Sequence, residues 1–395
     1  MAKRLCFALL AAVLLCGCDN SVPPAAQGEK ETVVLDILCD KADWDIVTEL
    51  CGGFSEEHPD KDYAFSLDEP PEDISALLSG EIAADVLYFT SDMTEELAES
   101  GFLLQVEDKA ERISAAKDAV SLDGRQYGFP FSAETYFLYY DRSKFADNEV
   151  GDLNKMMSKR LDGTNYSLAV ALDDGVYQGA FFLAAGCDVP EECCSDRGFL
   201  AGEYMAALTE SGRFAAAYDS YDIKAGFVDG SIAAAISDIG ICDELKSTLG
   251  SRYGTAKLPM LTFSDGSSAQ LGSLAVYTAV GACAGSQHPE DAVAFAEWIA
   301  GEEGQRMRLD ERSAAPVMIS LCSDSKLGKE HPETAALLRQ LEFSQLLPPA
   351  KELSAYRAAA QKLCDILMSG GVTESAIRYA LEEFRTCTEV DNVLQ

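Results

Sequence analysis

The apolar pattern of this chain changes period repeatedly, and that alternation restricts the fold more than any other feature. Thr32–Cys39 is a β-rich apolar run, whereas from Asp45 to Ser55 the apolar residues Ile46, Leu50 and Phe54 recur at helical spacing. Ala83–Phe89 repeats the buried-strand pattern, and a helical segment from Asp92 to Ser100 follows it, stopping at Gly101. Strand, helix, strand in this order predicts an α/β layer with parallel pairing. Open sheets of this kind hold ligands beyond the carboxyl ends of their strands, so the loops after Cys39 and Phe89 become candidate binding loops. Further strands are expected at Leu168–Leu172, Ala233–Ser237 and Ser273–Ala279. Helices are expected at Pro289–Ala300, Ser354–Leu367 and Thr373–Arg385, the last two separated by Gly370-Gly371. No repeat of 20–50 residues is present.

With 395 residues the chain has room for two or three domains of roughly 100–200 residues each. Its formal net charge of −35 repels phosphate backbones, which argues against a nucleic-acid partner. Lys3 and Arg4 precede thirteen apolar residues, Leu5 to Gly17. That run is shorter than the roughly 20 residues needed to cross a bilayer and reads as an export signal. Leu15-Cys16-Gly17-Cys18 resembles a bacterial lipobox, which makes residues 1–17 a signal peptide and Cys18 the acylated first residue of the mature chain; an ordinary signal cut nearby is the alternative. Residues 18–30, with Pro23 and Pro24, read as a lipidated tether.

Ten cysteines then remain, from Cys39 to Cys387. Export invites disulfides, with Cys187 and Cys193 or Cys194 as the most local choice, while small buried thiols packed as core residues are the other reading. No zinc-type spacing, phosphate loop, GxSxG elbow or HExxH motif occurs, so neither a metal, a cofactor nor catalysis is expected. The three histidines each precede a proline, where helix starts explain them.

The order of further segments carries a resemblance. Asp85–Phe89 with Leu97–Leu104, Asp123–Pro130 running into Phe137–Phe145, Phe227–Ile236, Tyr253–Pro259, Gly272–Val276, Ser286–Ala292 and Glu303-Gly304 together resemble the extracellular solute-binding proteins of ABC importers, in the sugar-binding family that includes the maltose-binding protein. The resemblance implies a two-lobed, periplasmic-binding-protein-like α/β fold of type II. Lobe 1 would take residues 31–133 plus 271–317 and lobe 2 residues 134–270 plus 318–395, with hinge crossings between them and a ligand in the cleft. It implies a monomer that captures a carbohydrate, delivers it to the permease subunits and stays at the cell membrane through its lipid.

For the site, the resemblance points to Phe89 and Asp92 on the first lobe, to Glu134 just past the first crossing, to Tyr177 on the second lobe, and to Tyr356 and Arg357 in the last region. Trp44, beside Asp43 and Asp45 in the loop after the first strand, adds an aromatic face suited to a sugar; packing under the helix start is its other reading. A different small polar solute such as a polyamine would suit Asp43, Asp45, Asp92 and Glu134. A surface lipoprotein enzyme such as a glycosidase is a more distant reading.

Overall fold

Two large β-sheets, each wrapped by helices, divide the chain, with two small two-stranded sheets beside them among the described residues. A computed structural model describes residues 30–71, 74–217 and 219–387. The signal segment and Cys18 lie outside the described residues.

The first sheet runs in the order 315–316, 129–134, 273–282, 86–90, 31–38 and 61–68, with 344–346 added beside the start of 273–282. Glu31–Leu38 is parallel to both its neighbours, and Ser273–Ala282 is antiparallel to Val86–Thr90 and Phe129–Glu134. The second sheet has the order 253–256, 137–141, 234–237, 168–169, 214–215. The expected alternation is thus present, though Leu168–Leu172 shortens to Leu168–Ala169 and Ser273–Ala279 extends to Ala282.

Period explains the first layer. Val33, Leu35 and Ile37 point to one side of their strand, where Ile46, Leu50 and Phe54 of the helix Trp44–Glu57 meet them. Ala292, Phe295, Ala296 and Ile299 supply the buried stripe of the helix Pro289–Ile299, and Phe295 meets Phe54 edge-on at 5.1 Å between ring centroids. The expected 354–367 helix begins earlier, at Ala350, directly after Pro349. The expected 373–385 helix ends at Leu381 and tightens into a 3-10 turn, Glu382–Cys387.

Three stretches pass between the sheets, and they touch one another. The Thr135 hydroxyl donates to the Leu274 carbonyl at 2.9 Å, and the Leu274 N–H donates to the Tyr136 hydroxyl at 3.2 Å. Ser273–Ala275 pairs in parallel with Ser344–Leu346, and the Ser273 and Ser344 hydroxyls lie 2.7 Å apart. The hinge is therefore a small hydrogen-bonded bundle of strands.

The ten described cysteines are free thiols, eight of them buried and two half-buried. Cys187 and Cys193 share one apolar core without a bond between them, so packing is the reading that holds. No described helix is long and apolar enough to cross a membrane.

Buried charge stiffens the first lobe. Arg112 donates to Asp108 at 2.6 Å, to the Pro130 carbonyl at 2.8 Å and to the Ala300 carbonyl at 2.7 Å, tying a loop, a strand and a helix end together. Both side chains are almost sealed from water. Removing one partner of such a pair leaves an uncompensated buried charge, so Arg112→Met should lower unfolding free energy by roughly 3–5 kcal/mol in urea titration, with the loss centred on the first lobe.

Candidate ligand cleft

The strand ends of both lobes converge where the hinge begins. On the first lobe Asp40 follows the strand Glu31–Leu38 and accepts from the Ala42 N–H at 2.8 Å, fixing the turn into the first helix. Glu134, expected just past the crossing at the start of lobe 2, is instead the last residue of the first-sheet strand Phe129–Glu134 and sits opposite Val276, with Thr278 donating to it at 3.4 Å. These residues, with Tyr88, Phe131 and Arg312, bound a recess of about 160 Å³. Behind it Arg308 grips Asp43 at 2.7 Å and the Tyr88 hydroxyl at 2.6 Å, and its guanidinium lies 4.3 Å from the Phe131 ring centroid. Arg312 reaches both Asp43, at 3.5 Å, and Asp45.

On the second lobe Asp238 follows the strand Ala234–Ser237 and caps the next turn by accepting from the Gly240 N–H at 2.8 Å. Tyr177, in the first turn of the helix Gly175–Ala184, donates to Asp238 at 3.3 Å. Its ring lies 4.9 Å from that of Tyr136, whose hydroxyl donates to the Val176 carbonyl at 3.0 Å.

The charge balance is informative. Asp43 and Asp45 are neutralised by arginines, whereas Asp40, Glu134 and Asp238 make no ion pair among the described residues. Partial desolvation by the cleft walls raises the Glu134 carboxyl above its ordinary range although the residue is exposed at its strand end; Asp238 from the other lobe and Asp40 beside it push the same way. The cleft thus presents carboxylates that have no ion-pair partner and keep spare acceptor capacity next to aromatic rings, a combination suited to a ligand rich in hydroxyl or amino donors. Among the described residues no group of three or more His, Cys, Asp or Glu is arranged to hold a metal ion.

Of the residues singled out from sequence, Glu134 and Tyr177 come together at the mouth of the hinge. Asp92 lies in the turn Ser91–Met93, facing a second space of about 430 Å³ between the lobes, and its Oδ1 is buried without a partner. Arg357 is exposed and pairs with Asp174 at 3.7 Å, at the start of the helix that carries Tyr177. The other aromatic residues sit elsewhere. Phe89 is buried in the first-lobe core on the sheet face away from the recess, pressed against Gly128 and Gly281, and its neighbour Tyr88 lines the recess instead. Tyr356 is fully buried in the second-lobe core and donates to the Gly175 carbonyl at 2.8 Å, so it supports the Tyr177 helix and does not reach the cleft. Trp44 is half-buried at the start of the first helix, packed on the core, with Lys41 5.8 Å from its ring centroid; its indole N–H is buried without a partner.

Asp40, Asp238, Tyr136, Arg308 and Arg312 are additional cleft residues. The two aspartates had a signal in the sequence: each follows a buried-strand run directly and precedes a turn. The arginines stand four residues apart on one helix, whose packing against the first turn no local pattern reveals.

Comparison with known proteins agrees with this architecture. The model of the family described as bacterial extracellular solute-binding protein matches residues 61–336. The galactooligosaccharide-binding protein of Bacillus subtilis (strain 168) is 23% identical over 94% of this chain and 93% of its own length. Among solved structures, the maltodextrin-binding protein of L. casei BL23, determined without ligand, superposes with a TM-score of 0.78 at 18% identity, covering 90% of this chain and 98% of that one. The maltose-binding periplasmic protein of Listeria monocytogenes, in complex with maltose, gives 0.73 at 20% identity, covering 92% and 98%. With the family match spanning well over half its length and two lobes meeting at a stranded hinge, the chain belongs to the bacterial extracellular solute-binding proteins.

Proposed function

We propose that this protein captures an oligosaccharide between its lobes and passes it unchanged to the permease of an ABC importer, acting as a monomer held at the outer face of the cytoplasmic membrane by lipid on Cys18. The observation that carries the reading is the cleft itself. Unpaired Asp40 and Glu134 on one lobe face Asp238, Tyr177 and Tyr136 on the other. Carboxylates accept sugar hydroxyls and aromatic rings cover sugar C–H faces, so closure would give each lobe half of the contacts. The named relatives support the cargo class, since one is a galactooligosaccharide-binding protein, one a maltodextrin-binding protein and one a maltose-binding protein. Because Asp43 and Asp45 are already neutralised by arginine, the polyamine alternative keeps only Asp92 and Glu134 of its four carboxylates. No role in catalysis is assigned to any residue.

A thermal-shift panel of galacto- and malto-oligosaccharides, polyamines and amino acids tests the cargo. An oligosaccharide is expected to raise the melting temperature, and a panel in which only a polyamine did so would overturn the reading. Glu134→Gln should weaken saccharide binding roughly tenfold or more by calorimetry, since it removes a charged acceptor.

The same variant has an opposite effect on the empty protein. Glu134 has a folded-state pKa raised above its unfolded value, so its ionisation opposes folding as pH rises past that range. Ligand-free Glu134→Gln should therefore melt higher than the parent at pH 7, and the gap should close below about pH 4, where the parent carboxyl is protonated in both states. For the anchor, Cys18→Ser should abolish metabolic labelling with palmitate and release the protein into the medium; retained labelling would refute acylation at this residue.

A further inference from the structure

We propose that the ion pair between Lys351 and Glu95 is a bolt across one flank of the cleft that limits the length of solute admitted, an inference that rests on the oligosaccharide reading above. Each partner is held by a different lobe. Glu95 lies in the helix Thr94–Glu99, which is fixed to the first lobe by fully buried Leu97 and by the Thr94 hydroxyl donating to the Ala119 carbonyl at 3.0 Å. Lys351 lies in the first turn of the helix Ala350–Met368, which is seated in the second-lobe core through Leu353 and Tyr356. Between these two anchored helices the Lys351 Nζ stands 2.9 Å from Glu95 Oε1.

The pair closes over the space of about 430 Å³ that Asp92, Glu96, Glu99 and Pro349 also line. That space shares no lining residue with the Glu134 recess, but one sheet links the two. Thr278, whose hydroxyl reaches Glu134, pairs across the sheet with Thr90, and Asp92 follows two residues later. A linear solute lying along these strand ends from Glu134 would arrive at Asp92, which lines that space, and would then meet the ion pair. Short chains end before it. Longer ones must part it, which separates two opposite charges and leaves Glu95 among Asp92, Glu96 and Glu99 with its cation displaced.

Both side chains are solvent-accessible, at 41% for Lys351 and 37% for Glu95, so neutral replacements leave the folded cores intact. The test is calorimetric affinity for β-1,4-galacto-oligosaccharides and maltodextrins of two to five units, measured on the parent, Lys351→Gln, Glu95→Gln and the double variant. Each single change should raise the affinity ratio of the pentasaccharide to the disaccharide by about fivefold, and the double variant should go no further, because both remove the same interaction. High salt should raise the ratio in the parent and not in the variants. A ratio unaffected by the single changes, or affinities that shift equally at every length, would overturn the bolt while leaving oligosaccharide capture intact. A parent that bound no saccharide of either series would overturn the underlying reading.

Discussion

Everything in this molecule that moves or binds is constrained by the hydrogen bonds around Leu274. Its carbonyl takes the Thr135 hydroxyl and its N–H is held by Tyr136, so two of the three passages between the sheets are fastened together at the point where the lobes diverge. The third passage, Ser344–Leu346, is zipped to the same segment by strand pairing. Strands fastened in this way bend as a group and resist independent twisting, which favours one axis of opening over many. Tyr136 couples this joint to the ligand side, because its hydroxyl also donates to the start of the helix that carries Tyr177, and its ring meets the Tyr177 ring.

The cleft gains its character from where cations are placed as much as from where they are missing. Arg308 is buried against Asp43, Tyr88 and Phe131 and acts as scaffolding for the recess wall. With that compensation in place, Glu134 stays without an ion-pair partner at its strand end, and its raised pKa means that its ionisation opposes folding of the empty protein. Binding sites commonly show this tension between a group's cost to the fold and its value to the ligand.

Much of the architecture was legible from sequence because period is a physical quantity. The strand at 31–38 and the helices at 44–57 and 289–299 follow directly from which faces must be dry. Site residues were harder for the same reason. In a strand a shift of one position turns a side chain to the opposite face, and this is what separates Phe89, buried against Gly128, from Tyr88, which borders the recess. Tyr356 and Arg357 repeat the lesson on a helix, one sealed in the core and the other exposed beside Asp174. Glu134 and Tyr177 were pointed to by the family resemblance and not by any local pattern; the structure places each near the end of an element. Pairings such as Arg308 with Asp43, 265 residues apart, depend on tertiary packing and leave no local trace.

The unbonded cysteines have a consequence for where such a protein can work. Burial pushes the thiols of Cys39, Cys51, Cys283 and Cys364 up to about 12 and those of Cys187, Cys242, Cys322 and Cys387 to about 11. Since thiolate is the form that attacks disulfides and oxidants, these sulfurs are nearly inert at neutral pH. At these eight positions, therefore, the redox poise of the surroundings has little purchase on the folded body.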